Sequence, residues 1–161
     1  MPVTSDITAT YRGPRRVMRR LLSMGPREDR ALAILMGACL IVFVAQMPRL
    51  SREAHLTGQE LNMLLGGALL GWIFIAPLML YALAGLSHLI ARLIGGRGSW
   101  FGARLALFWS FLASTPVLLL HGLVAGFIGP GPGLQAVGLI WLVVFAWFWI
   151  ASLLQAEEPA P

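Results

Sequence analysis

"GGRGSWFGAR", Gly95–Arg104, separates two of the longest apolar runs in the chain. As a phosphate cradle it would belong to a nucleotide-binding α/β domain; as a turn it joins two membrane helices. A dinucleotide fingerprint needs G-x-G-x-x-G after a strand. Gly96 and Gly98 fit that frame, but the third position is Phe101, and Gly102 falls one residue late. No Lys-Ser/Thr pair follows, so a P-loop fails as well. The turn accounts for more. Gly95, Gly96 and Gly98 permit the left-handed backbone that stops a helix, and Ser99 is placed to cap the next one. Trp100 and Phe101 stand where an interfacial aromatic belt belongs, and Arg97 and Arg104 are within reach of lipid phosphates.

Outward from this loop the chain is apolar. Hydrophobic residues make up 58% and charged residues 12% of its 161 positions, about half the charge of an ordinary soluble domain. Four apolar runs follow a basic head: 31–47, closed by Pro48; 61–91; 105–128; and 133–154. Runs three and four each match a hydrocarbon core roughly 30 Å thick. Run two is longer, so it is expected either to tilt or to emerge from the bilayer as a helix; "SHLIARLI" (Ser87–Ile94), mixing polar and apolar residues at helical spacing, favours the second. Strand-type alternation is absent, and an open sheet cannot satisfy its backbone in lipid. The expected fold is all-α: an integral membrane bundle of four transmembrane helices over 31–154. It carries an N-terminal amphipathic interfacial helix (14–24) within a head of residues 1–30, and a tail of residues 155–161. "MGAC" (Met36–Cys39) faintly resembles a lipoprotein cleavage box, but the apolar run continues straight past it. Cys39, the single cysteine, reads as a small buried apolar residue and excludes a disulfide framework.

The formal charge of +5 comes from arginine, with no lysine present. Arg12, Arg15, Arg16, Arg19, Arg20, Arg27, Arg30, Arg92, Arg97 and Arg104 fall on one side of a four-span bundle; only Arg49 and Arg52 fall on the other. The positive-inside rule then places both termini in the cytoplasm. In "PRRVMRRLLSMG" (Pro14–Gly25), Val17, Met18, Leu21 and Leu22 occupy one helical arc. Arg15, Arg16, Arg19 and Arg20 occupy the other. That segregation suits a helix lying on a lipid surface, anionic lipid included; a topology-setting leader is the alternative. Nucleic acid is not an expected partner, since no stacking aromatics or recognition motif accompany the charge.

"GGRGSWFGARLALFWSFLASTP" (Gly95–Pro116) resembles the central segment of bacterial members of the Yip family, the Ypt-interacting-protein-like polytopic membrane proteins. The resemblance rests on Gly95, Gly96, Gly98, Ser99 and Trp100, followed by Ser114, Thr115 and Pro116. It implies a non-enzymatic protein of the bacterial inner membrane. The acidic and aromatic signatures of eukaryotic members are not visible, so GTPase binding is not implied.

Pro77 and Pro116 each remove a backbone hydrogen bond inside a span, freeing carbonyls near Ile73 and Leu112. With Ser110, Ser114, Thr115 and His121 they outline a polar site of the kind transporters build. Satisfied kinks are the preferred reading, because no acidic residue lies in any span. Gly67/Gly71 and Gly122/Gly126 are G-x-x-x-G pairs suited to close helix packing, within the monomer first and across a homodimer second. "TGQE" (Thr57–Glu60) reads as a capping box opening run two. His88 is expected to reach the interface, and no nucleophile has a base beside it. The expectation is a scaffold or assembly factor without cofactor, metal or catalytic residues, binding lipid or another membrane protein. A small transporter or channel subunit around the Pro77/Pro116 kinks is the alternative.

Overall fold

The centre of the molecule is the helix that follows the glycine loop. In the computed structural model, which describes residues 3–158, this helix is α6 (Trp100–Ala113), and every residue from Phe101 to Ala113 except Arg104 is buried. A helix apolar on all sides has no solvent face to present and becomes a core. Around it stand α1 (Val3–Thr10), α2 (Pro14–Ser23), α3 (Glu28–Thr57), α5 (Ala76–Leu93) and α8 (Pro132–Ala156). α4 (Leu61–Leu69) and α7 (Thr115–Phe127) pack farther along α3. The described residues contain no strand. Three continuous helices are long and apolar enough to cross a membrane: α3, the α4–α5 unit Leu61–Leu93, and α8. The pair α6–α7, bent by 44°, makes a fourth when counted as one span.

The breaks follow from the prolines. Pro116 deprives the Leu112 carbonyl of its donor, and the Thr115 hydroxyl donates to that carbonyl at 2.6 Å. At the bend Val117 N–H turns to Ser114 O, which leaves Ala113 O to be satisfied from elsewhere. The Tyr11 hydroxyl supplies the bond at 2.8 Å. Before Pro77, α4 and α5 are joined by a π-type turn over Leu70–Ile75, in which Ala76 N–H donates to Gly71 O. The extra residue in that turn relieves the clash a proline ring makes with the preceding turn.

Several expected boundaries are corrected. Pro48 does not close the first run: α3 continues to Thr57 and ends at Gly58, in left-handed backbone (φ 74°). The helix is supported from outside, because Gly122 lies against Ala45 and Gly126 against Pro48, so closely that a Cβ at either glycine would overlap α3. Thr57 is therefore the end of α3, its hydroxyl donating to Glu53 O at 2.7 Å. Glu60 precedes α4 without a side-chain cap, so "TGQE" is not a capping box. The third run starts at Trp100, not Leu105, because Ser99 accepts from Gly102 N–H at 3.0 Å and opens the helix early. Trp100 and Phe101 thus belong to its first turn. The fourth runs from Pro132 to Ala156 rather than 133–154.

The head differs most from expectation. α1 was not anticipated, and the apolar arc of α2 does not face lipid. Val17, Met18 and Leu21 are buried, and Leu22 half-buried, in the same core as α6 and α8. Trp109 Nε1 donates to Thr10 Oγ1 at 3.0 Å, and Tyr11 meets Phe148 edge to face at 4.8 Å. An apolar arc gains by leaving water whether protein or lipid receives it, and here the core shared with α6 and α8 receives it. Residues 1–2 of the head and 159–161 of the tail lie outside the described residues.

Candidate functional site

Head, glycine loop and tail converge on one end of the bundle. Glu28 at the start of α3 pairs with Arg104 of α6, Arg15 of α2 pairs with Glu158, and the loop grips Glu157. At the opposite end Arg52 reaches Gly126 O at 3.5 Å, beside the α7–α8 turn.

The grip is built residue by residue. α5 ends as Gly96 N–H returns to Ala91 O at 2.7 Å, a closure that Gly95 permits by turning left-handed (φ 98°). The chain then wraps the tail. Arg97 N–H donates to Glu157 O at 3.0 Å, and Gly98 N–H donates to Glu157 Oε2 at 2.9 Å. Glu157 Oε1 lies 2.8 Å from His88 Nδ1, which carries the hydrogen when the carboxylate is ionised. Both side chains are buried, 1% exposed for His88 and 8% for Glu157. A Cβ on Gly96 would come within 2.6 Å of Glu157 Oε2, and one on Gly98 would overlap Ala156 O. Gly98 is therefore required by close approach of the tail, and Gly96 by the Ala91 carbonyl, 2.8 Å from where its Cβ would stand, as well as by Glu157. Trp100 lies against the site, its ring centroid 4.4 Å from that of His88. Outside it, Gln155 Nε2 donates to Glu158 Oε2 at 3.1 Å, and Arg19 donates to Gln155 Oε1 at 3.4 Å.

The loop therefore does accept an anion, but the anion is the protein's own Glu157. Beside it an apolar groove of about 490 Å³ runs between α5 and α8, bounded by Ile90, Ile94, Trp149, Ile150 and Leu154.

All five loop residues singled out from sequence, Gly95, Gly96, Gly98, Ser99 and Trp100, gather here. The polar residues near the kinks do not form a shared site. Ser110 donates to Ala106 O at 2.6 Å and Ser114 to Phe111 O at 2.8 Å, while Ser114 accepts from Trp141 Nε1 at 3.0 Å. With Thr115 bonded to Leu112 O, each hydroxyl closes on its own helix. His121 lies against α8, where a Cβ on Gly138 would be 3.5 Å from its ring. Of the two G-x-x-x-G pairs, Gly122 and Gly126 pack inside the monomer. Gly67 and Gly71 have nothing within 4 Å of where a Cβ would stand, which corrects an internal role for that pair. α4 leans on α3 through another side and leaves this face outward. In α2, Arg15, Arg19 and Arg20 turn to Glu158, Gln155 and Asp6; Arg16 is exposed. Glu157 and its partner His88 were missed as a pair. The available signal was an acid placed just past the last apolar run, at the end of the bundle that carries the glycine loop.

An all-helical bundle with three continuous membrane-length helices and a broken fourth is a multi-pass membrane protein. A family model described as Yip1 domain matches residues 9–159, and the chain belongs to that family. Comparisons with curated proteins and with solved structures find no match.

Proposed function

We propose that this Yip-family protein is a non-enzymatic scaffold of the bacterial inner membrane, organising lipid or another membrane protein through its spans, with both termini cytoplasmic. The observation that carries the reading is the Leu61–Leu93 span. Only 6% of its most apolar window is buried in its own bundle, against 39% for α3. A span that contributes so little to the core is available for a neighbour, and its Gly67/Gly71 face allows close helix approach.

The test is photo-crosslinking from positions 67, 71 and 78 in membranes, followed by purification in mild detergent. A reproducible membrane-protein or lipid adduct at these positions, absent from buried positions 105 and 109, is the expected result. Substrate-dependent flux through liposomes holding this protein alone would replace the scaffold with a transporter. Orientation is checked by reporter fusions at residues 55, 98, 131 and 161. A cytoplasmic signal is expected at 98 and 161 and an exported one at 55 and 131, following the ten-to-two arginine split.

A further inference from the structure

Among the described residues, eight of the twelve arginines have a hydrogen-bond partner for the side chain: Arg15, Arg19, Arg20, Arg27, Arg30, Arg49, Arg52 and Arg104. Arg12, Arg16, Arg92 and Arg97 have none. Two of these four share one concave space. Arg12, in the turn after α1, and Arg16, in the first turns of α2, line a cleft of about 520 Å³ between the two helices. Thr8, Ala9, Gly13 and Val17 also line it. The acids in reach of this part of the head are already committed: Asp6 to Arg20 and Glu158 to Arg15. Among the described residues the cleft is therefore lined by two arginines and by no carboxylate. Each offers a planar fork of donors that matches the oxygens of a phosphate group. Its volume lies within the range of small-molecule sites, and it sits at the end of the bundle that carries ten of the arginines.

We propose that the cleft between α1 and α2 binds a phosphate group through Arg12 and Arg16, supplied either by an anionic phospholipid headgroup or by a soluble phosphate. The inference rests on the lipid-binding part of the proposed function. Its test does not involve the Leu61–Leu93 face, so a failed crosslink there leaves it standing. The unpaired charge in the cleft is what the ligand neutralises. Arg92 and Arg97 carry the same formal charge without lining the cleft, which makes them the matched control.

Protein in phosphatidylcholine nanodiscs is titrated by calorimetry with short-chain phosphatidylglycerol and, separately, with inorganic phosphate. The double variant R12Q/R16Q is expected to weaken phosphatidylglycerol binding on the order of tenfold or more, and R92Q/R97Q by less than about twofold. Phosphate binding with the same variant pattern assigns the site to a soluble ligand; binding of the lipid alone assigns it to a headgroup. Equal weakening by both double variants, or no binding of either ligand, overturns the proposal. A readout on the wild-type chain guards against misfolded variants. The ligand that binds must shield Arg12 and Arg16, and not Arg92 and Arg97, from phenylglyoxal as read by mass spectrometry; uniform modification overturns the proposal.

Discussion

α6 and the Leu61–Leu93 span are both strongly apolar, and they have opposite fates. α6 is enclosed on every side, whereas the span keeps Leu69, Leu70, Phe74, Ile75, Leu78 and Met79 exposed. Hydropathy does not separate them, because lipid and protein interior are equally acceptable to a leucine. What separates them is the shape of their neighbours. α6 is flanked by residues that let backbone come close: Gly102 lies on Ala156, with Gly98 just before it against the same residue, and its continuation α7 meets α3 at Gly122 and Gly126. Gly66, Gly67 and Gly71 of the exposed span have nothing against them. Small residues make a core in a membrane only where a second helix arrives to use them.

Mutation should separate the two helices, most strongly at the closest approaches. Gly98→Ala and Gly122→Ala each place a Cβ on a backbone carbonyl, of Ala156 and Ala45 respectively, that cannot retreat without moving a helix. Each is expected to cost about 3 kcal/mol, read as a lowered melting temperature in detergent. A loss below about 0.5 kcal/mol would mean these helices slide freely.

A smaller effect is expected from Tyr11→Phe, which strands the Ala113 carbonyl at the α6–α7 bend. An unsatisfied buried acceptor costs about 1–3 kcal/mol. Burial raises the phenol above its ordinary pKa of 10, so the wild-type donor keeps its proton throughout the neutral range. Trypsin cleavage within the head should accelerate in the variant, and unchanged cleavage would show that the bend does not need the head.

The smallest effect belongs to Gly67→Ala and Gly71→Ala. With open space at both positions, stability should hold or rise by up to about 1 kcal/mol from improved helix propensity. If the same variants abolish crosslinks from position 78 while the melting temperature holds, the outward face is an interface. A large destabilisation would erase the contrast with Gly122 and Gly126.

The four apolar runs, the bend at Pro116 and the stopping power of Gly95–Gly98 were legible because each rests on local chemistry: span length, a missing N–H, left-handed backbone. The length of α3 was not, since the helix running through Pro48 packs there against Gly126, 78 positions downstream in sequence. The apolar arc of Val17, Met18, Leu21 and Leu22 is visible in the sequence, but not what receives it, which in the structure is the core shared with α6 and α8. Nothing in Val17, Met18 or Leu21 names Phe148 as the alternative to lipid. The site was half legible. Its glycines announced themselves, but the anion they receive did not, because a loop sequence carries no record of which carboxylate will reach it.

The clasp around Glu157 also has a consequence in time. His88 and Glu157 are 69 positions apart, Gly98 and Glu157 are 59, and Arg15 and Glu158 are 143. A chain made from its N-terminus leaves the loop and the head waiting while α7 and α8 are still being synthesised and inserted. During that interval His88 faces an empty cradle and the buried face of α2 has no α8 to cover it. The arginine-rich end thus closes only after α8, and its closure registers that α7 and α8 have been delivered. A ribosome stalled at about residue 150 should leave a chain with its early spans in place and that end unlatched.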